Sequence, residues 1–424
     1  MQIKNSIYKK VAIFSFMVFL FFSLFGTKMP FGAKITNVED ISTSNIVNQL
    51  LYSYLFLAAC FALIPKFSSI RHIIKREKFF FAFIFFLTLS IIWSDYMIIS
   101  LKRAFQFYSV VLTLLAFIMY VESDEEMIKY FKPILYLYVI ATIIVVLVIP
   151  TAKDPQFHTW RGFSDTKNNL GEIGLVCVLL SYTIYKRERT FVTKLIGALI
   201  LLLSVAIVIG TFSSTSIIAL FILVGIGLLL TIDNIFKPLG IRRTITSLSV
   251  FFITAFVLYV FLFNPALLSF ITSIFGKDST FTGRTEIWSY MFNEIEKHLL
   301  LGAGFQGFWV VDSPKILLLY KQFVWLPNQA HNGYIDIVNE LGIVGLCLFL
   351  LMIMNYFITL FRWKIKTIWG WFVIVPLITN FQESTFLGSS RLIYSMLNFA
   401  YLVLFVRIYR MDLESKSEIN IKNK

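Results

Sequence analysis

The sequence predicts an all-α protein that crosses a membrane many times, and three observations carry that prediction. Of its 424 residues, 58% are hydrophobic and 15% charged, whereas soluble globular chains sit near 45–50% and about 25%. Mean hydropathy is correspondingly high, at +0.78. The apolar residues gather into runs nearly free of Asp, Glu, Lys and Arg, of about the 17–25 residues that let a helix cross roughly 30 Å of hydrocarbon. Those runs are continuous, whereas strands of an outer-membrane barrel alternate apolar and polar residues, so that architecture is excluded. The same composition excludes a disordered chain, a collagen-like array and a disulfide scaffold.

Taken in order, the run 11–25 follows Lys9 and Lys10 and lacks a small-residue cleavage site after it, so it reads as a span and not a leader. The runs 46–64, 79–93 and 104–120 follow. The run 134–150 is preceded by Ser123-Asp124-Glu125-Glu126, in which Ser with Glu three residues later is a helix-capping pattern. The runs 170–185, 195–210, 215–231 and 245–263 complete the first nine, and 342–361, 368–386 and 392–409 bring the total to about twelve. This divides the chain into spans one to nine in residues 1–263, a large loop at 264–341, spans ten to twelve in 342–410 and a tail at 411–424.

An even number of spans puts both termini on one side, and charge says which side. The segments on the side of the termini hold 25 of the 38 Lys and Arg and 10 of the 24 acids, a net +15, while the opposite segments net −1. Basic residues concentrate on cytoplasmic loops, so both termini are expected in the cytoplasm. Topology thus accounts for the net +14, and no nucleic-acid partner is expected.

The loop 264–341 lies on the outer face, and connections of that length are usually functional. Within it, Thr282-Gly283-Arg284-Thr285-Glu286 precedes Ile287, Tyr290, Met291, Ile295 and Leu299, an apolar stripe at helical spacing that stops at Gly302. Residues 333–341 read as a second helix leading into the tenth span. Gly302-Ala303-Gly304-Phe305-Gln306-Gly307 spells G-x-G-x-x-G but follows a helix, so it reads as a turn and not as a dinucleotide site. No P-loop, H-E-x-x-H or Asp-x-Asp pair is present, so chemistry driven by cytoplasmic nucleotides is not expected and no cofactor is assigned. Cys60, Cys177 and Cys347 lie in apolar runs at spacings that suit packing better than metal binding or disulfides.

What remains is a set of outward polar residues. Arg161 stands in Trp160-Arg161-Gly162, Lys167 opens the sixth run, Arg284 opens the loop helix, and Arg391 opens the last run shortly after Glu383. An arginine fork clamps phosphate or diphosphate through paired, charge-assisted hydrogen bonds. Each arginine taken alone also suits an interfacial anchor, but arginines on the outer face run against the positive-inside trend. Of four histidines, His72 is on the basic side, His158 reads as a loop surface residue and His298 as a helix C-terminal partner. His331 stands apart because Asn332 follows and a helix begins there; a neutral imidazole can take a proton from a hydroxyl.

Together these residues resemble a known family. Trp93-Ser94-Asp95 with Lys102-Arg103, Trp160-Arg161-Gly162 through Lys167-Asn168-Asn169-Leu170-Gly171, Ser213-Ser214-Thr215-Ser216, Thr282-Gly283-Arg284-Thr285-Glu286-Ile287-Trp288, Leu301-Gly302-Ala303-Gly304, and Ala330-His331-Asn332-Gly333-Tyr334 leading to Glu340-Leu341-Gly342-Ile343-Val344-Gly345 look like the O-antigen ligase and O-antigen polymerase superfamily of bacterial inner-membrane glycosyltransferases. The resemblance implies a C-type, metal-independent glycosyltransferase acting at the periplasmic face on undecaprenyl-diphosphate-linked glycans, with 264–341 as a periplasmic loop. For that reaction the expected base is His331 and the expected diphosphate clamp is Arg161 with Arg284, while Lys167, Asn332 and Arg391 are expected to bind substrate. Partners would be a lipid-linked oligosaccharide as donor and acceptor, membrane lipid, and a chain-length regulator. The wording of Phe281-Thr282-Gly283-Arg284 and Asn328-Gln329-Ala330-His331-Asn332 looks closer to the polymerases, with a ligase onto lipid A core as the alternative. A lipid-glycan transporter is the rival of another class; it would favour repeated halves and charges at span centres, which the sequence lacks.

Overall fold

A computed structural model of the chain describes residues 2–27, 45–154, 158–236, 284–311, 313–322, 327–365 and 367–422. The expected span 245–263 and the Phe281-Thr282-Gly283 part of the loop motif lie outside the described residues. What is described is all-helical, with one isolated antiparallel bridge between Lys153 and Trp160. Fourteen α-helices are present among these residues: α1 Gln2–Phe25, α2 Ile46–Leu63, α3 Phe67–Arg76, α4 Lys78–Leu89, α5 Met97–Tyr120, α6 Asp124–Val148, α7 Lys167–Arg187, α8 Phe191–Gly210, α9 Ser214–Phe236, α10 Arg284–Glu296, α11 Pro314–Gln322, α12 Gly333–Arg362, α13 Trp371–Thr379 and α14 Leu392–Lys422.

Seven stretches among the described residues are long and apolar enough to span a bilayer: Ser6–Phe25, Ile46–Arg76, Met97–Tyr120, Asp124–Val148, Phe191–Gly210, Gly333–Arg362 and Leu392–Ser415. The chain is a multi-pass membrane protein. The expected total of about twelve counted three kinds of run that differ in three dimensions. Lys78–Trp93 and Ser214–Leu228 are shorter apolar helices. Helix α7 is 21 residues long but opens on Lys167-Asn168-Asn169 and carries Glu172. The run 368–386 yields only the nine-residue α13. Its helix stops because the Asn380 side chain accepts from the backbone N–H of Thr385 (2.8 Å) and Phe386 (3.2 Å), closing a turn that competes with the helix.

The bundle is organised around α14. Its apolar window is 89% buried, against 28% for Ile46–Arg76 and for Phe191–Gly210, so α14 is the central helix and those two face outward. Part of the aromatic richness is core packing: Phe16 stacks on Phe117 at 3.8 Å between ring centres, and Phe131, Phe399 and Trp369 complete the cluster. The cysteines divide: Cys177 is buried as expected, whereas Cys60 and Cys347 are exposed on the outer surface of the bundle.

Polar groups collect at the two ends of this bundle. At one end Asp124 opens α6, capped by Ser123. Its carboxylate accepts from Trp369 Nε1 (2.6 Å) and from Arg407, and lies 3.6 Å from Arg187. Lys9–Glu126, Arg76–Asp412 and Lys132–Glu188 pairs lie at the same end. The other end holds Asn168, Glu383 and Arg391. At about 1.5 Å per helical residue, Asn168 is about 28 Å from Arg187 along α7, and Leu392 about 22 Å from Arg407 along α14, close to the thickness of a hydrocarbon core. Replacing Asp124 with Ala leaves the guanidinium of Arg407 without its carboxylate. The expected loss is about 1–3 kcal/mol of stability, read as a lower melting temperature at unchanged activity per folded molecule.

Candidate functional site

The site is built at the polar end where α7, α12 and α14 begin. Asn332 is the N-cap of α12: its Oδ1 accepts from the N–H of Tyr334 (3.0 Å) and Ile335 (3.2 Å). Its Nδ2 donates to Phe381 O at 3.2 Å and its N–H donates to Ser384 Oγ at 3.0 Å. Asn332, expected to bind substrate, is thus engaged in joining the start of α12 to the loop 380–391. That cap holds the preceding residue, His331, at φ 52°, a left-handed backbone that a non-glycine residue adopts at a cost of about 1–3 kcal/mol and that recurs at functional sites. Asp336, one turn into α12, braces the same turn from the other side by accepting from Ala330 N–H (3.2 Å) and Trp309 Nε1 (2.8 Å).

Glu383 is the residue the others surround, and it is 3% exposed. Its carboxylate accepts from Asn168 Nδ2 at 2.8 Å, lies 3.6 Å from Arg284 and 3.6 Å from Nδ1 of His331. Its carbonyl oxygen accepts from Gly333 N–H at 2.9 Å. Arg284 opens α10 and is itself 7% exposed. Burial pushes the Arg284 guanidinium below its usual pKa, and Glu383 opposes that. Burial also works against the Glu383 carboxylate, but the hydrogen bond and charge of His331, with the charges of Arg284 and Arg391, outweigh it and hold Glu383 below the usual carboxylate range. Gln329 bridges the remaining members: its Nε2 lies 3.2 Å from His331 Nδ1, and its Oε1 accepts from Arg391 at 3.4 Å. Nδ1 of the imidazole therefore faces both the Gln329 amide and the buried Glu383 carboxylate, leaving Nε2 as the ring nitrogen turned away from them.

The structure brings together Arg284, His331 and Arg391 around one acidic residue to which the sequence assigned no role, and sets Asn332 beside them in the cap of α12. Arg161 is not among the side chains on Glu383. Its guanidinium donates to the carbonyls of Thr151 (3.0 Å) and Lys153 (3.3 Å) on its own turn. Trp160 N–H donates to Gly210 O at 2.9 Å, which sets this turn against the α8–α9 connection. Lys167 occupies the first turn of α7, capped by Thr166 and next to Asn168. Glu383 had a signal: Asn380, Gln382, Glu383, Ser384 and Thr385 form a polar cluster inside an apolar run, and an ionisable residue there is costly unless it has partners.

The cap over this end has its own small core of Ile287, Met291, Phe308, Ile316, Leu319 and Ala330, so α10 packs by the stripe its sequence predicts. The Gly302–Gly307 segment is a turn. Gly302 and Gly304 have φ of 73° and 92°, and a Cβ on Gly302 would collide with the backbone of Glu340. Arg103 donates to the carbonyls of Gln306 and Trp309, and Ser90 Oγ accepts from Phe305 N–H at 3.0 Å, fixing that turn to the bundle.

Two comparisons bear on this arrangement. Residues 197–350 match a family model described as O-antigen ligase. The chain is also similar to the exopolysaccharide production protein ExoQ of Rhizobium meliloti (strain 1021), 29% identical over 149 residues, which is 34% of this chain. The match spans 33% of that relative's length. Each match covers little more than a third of the chain, and neither separates polymerase from ligase. The matched family segment contains Arg284, His331 and the Ser213–Ser216 turn, whereas Arg161, Glu383 and Arg391 lie outside it.

Proposed function

We propose that this chain is a glycosyltransferase that polymerises polysaccharide at the outer face of the bacterial inner membrane, moving a growing glycan from undecaprenyl diphosphate onto a hydroxyl of another lipid-linked repeat unit. The single observation that carries it is the gathering of Arg284, His331 and Arg391 around the buried Glu383, at the polar end opposite the Asp124–Arg407 network. The basic excess at the Asp124 end supports reading that end as cytoplasmic.

The chemistry follows from the groups present. Diphosphate is a competent leaving group, so the protein must activate a nucleophile and stabilise developing phosphate charge. His331 takes the proton of the acceptor hydroxyl. The hydroxyl oxygen forms a bond to C1 of the donor sugar as the bond from C1 to the diphosphate oxygen breaks, and the diphosphate departs with that electron pair. Glu383 stabilises the imidazolium, and Arg284 and Arg391 face the departing anion. One displacement on C1 inverts its configuration.

Arg161 belongs to this reading as a second cation beside the site. Arg161→Lys keeps the charge but not the fork and should lower activity by about tenfold or more, measured as product formed per folded molecule. Unchanged activity would reduce Arg161 to a brace for its own turn.

A ligase is the second reading, favoured by the family description itself. Purified protein in lipid nanodiscs, given lipid-linked repeat units, separates the two. A ladder of lengthening glycans supports polymerisation, transfer only when lipid A core is supplied supports ligation, and movement across the bilayer with no new bond contradicts both.

A further inference from the structure

The turn Ser213–Ser216 opens α9, a helix of 23 residues, and nothing above gives it work. Ser213, Ser214 and Ser216 are 1%, 7% and 1% exposed. Their three hydroxyl oxygens have no hydrogen-bond partner among the described residues. A buried hydroxyl left unpaired carries a desolvation cost, and three in one turn are a concentration that packing alone does not explain. They are held there by design of the neighbouring helix: a Cβ on Gly171 of α7 would collide with Ser216 Oγ. Across the Trp160–Gly210 hydrogen bond, Thr159 Oγ1 and Arg161 Nε are likewise buried without a partner among the described residues.

The turn also meets the site directly. Thr215 Oγ1 donates to Gln382 Oε1 at 3.1 Å, next to Glu383. Three helix N-termini therefore converge on residues 380–383: α7 through Asn168 to Glu383, α9 through Thr215 to Gln382, and α12 through Gly333 N–H to the carbonyls of Asn380 and Glu383. Each N-terminus carries about half a positive charge and backbone N–H groups suited to anions. Arg391 has Glu172 and Glu383 as its acidic neighbours, and Arg284 has Glu383. Glu383 thus faces both guanidinium groups, and the helix ends add positive character beside them.

We infer that the Ser213–Ser216 turn is a diphosphate cradle, in which the serine hydroxyls and the N-terminus of α9 hold the phosphoryl oxygens between Arg161 on one side and Arg284 with Arg391 on the other. This rests on the proposed lipid-diphosphate chemistry for the source of the anion, but not for its binding. A phosphoryl oxygen supplies the acceptor that each hydroxyl lacks. The turn thereby links Arg161 to the Glu383 cluster through the ligand instead of through a direct contact.

The test is binding without turnover. The full chain in nanodiscs is titrated with radiolabelled inorganic pyrophosphate in one arm and with farnesyl diphosphate in the other. The variant Ser213→Ala/Ser214→Ala/Ser216→Ala should bind at least about tenfold more weakly, while its melting temperature without ligand stays level or rises, because unpaired hydroxyls have been removed. Weakening in both arms supports a site for the diphosphate group itself, and weakening in the farnesyl arm alone supports a site that takes it from a lipid. Unchanged affinity in both arms overturns the proposal. So does a lowered melting temperature with affinity restored at low temperature, which would mark the serines as structural. Serine-dependent binding by a protein that makes no glycosidic bond would leave the cradle standing and remove the glycosyltransferase reading, so the two fail separately.

Discussion

Replacing His331 with Ala should abolish detectable polymer while leaving protein level and melting behaviour close to those of the parent. General-base assistance is typically worth about 10²–10⁴ in rate, and no second histidine is positioned to substitute: His298 sits at the end of α10 beside Lys297, with its pKa lowered by burial. The backbone supports the same outcome. At φ 52°, His331 is strained in place by the Asn332 cap and the Asp336 brace. His331→Gln should fail as well, since an amide can hold a hydroxyl but cannot take its proton. Long glycans made by either variant would remove His331 as the base.

The second large effect is on Glu383, and here stability and activity separate. Glu383→Ala leaves Arg284, 7% exposed, without its carboxylate. Breaking a buried ion pair by removing one partner costs about 3–5 kcal/mol, so this variant should melt far below the parent. Replacing both partners removes the uncompensated charge: Arg284→Met/Glu383→Leu should recover much of the stability and none of the activity. Recovery of activity in the double variant would contradict the role given to both residues. The pH dependence has a definite sign. Because Glu383 titrates below the usual carboxylate range, it binds fewer protons in the folded than in the unfolded state. Its contribution is complete above the unfolded value of about 4.3 and declines as pH falls through the depressed folded value. The stability gap between parent and Glu383→Gln should therefore hold from neutrality to about pH 5 and close only under stronger acid.

Much of the fold is legible because membrane insertion imposes a simple rule. An apolar run long enough to cross must be helical, which makes runs such as 46–64 and 195–210 readable from composition alone. What composition does not carry is where a helix stops inside an apolar stretch. The run 368–386 satisfies the length rule, but Asn380 closes a turn after Thr379, and that local competition depends on a side chain reaching the backbone of Thr385 and Phe386. Glu383 was hidden by the same error, since a carboxylate within a presumed span looks like an isolated exception until the break turns it into the floor of a site. His331 and Arg284 were legible because each stands at a helix start, where capping and termination patterns mark position. Arg161 was legible as an outward cation, but its hydrogen bonds to Thr151 and Lys153 depend on how its own turn folds. The Ser213–Ser216 turn could be named as a motif, but the burial of its hydroxyls emerges only when α7 and α9 pack at Gly171.

The most direct test of the account is the configuration of the new bond. A lipid-linked repeat unit isotopically labelled at the C1 carbon attached to diphosphate is given to the purified protein, and the anomeric coupling of the product is read by NMR. Direct attack by a hydroxyl deprotonated at His331 predicts a single inverted linkage, with one polyprenyl diphosphate released per bond formed. Retention of configuration, or a glycan covalently attached to the protein, would contradict it.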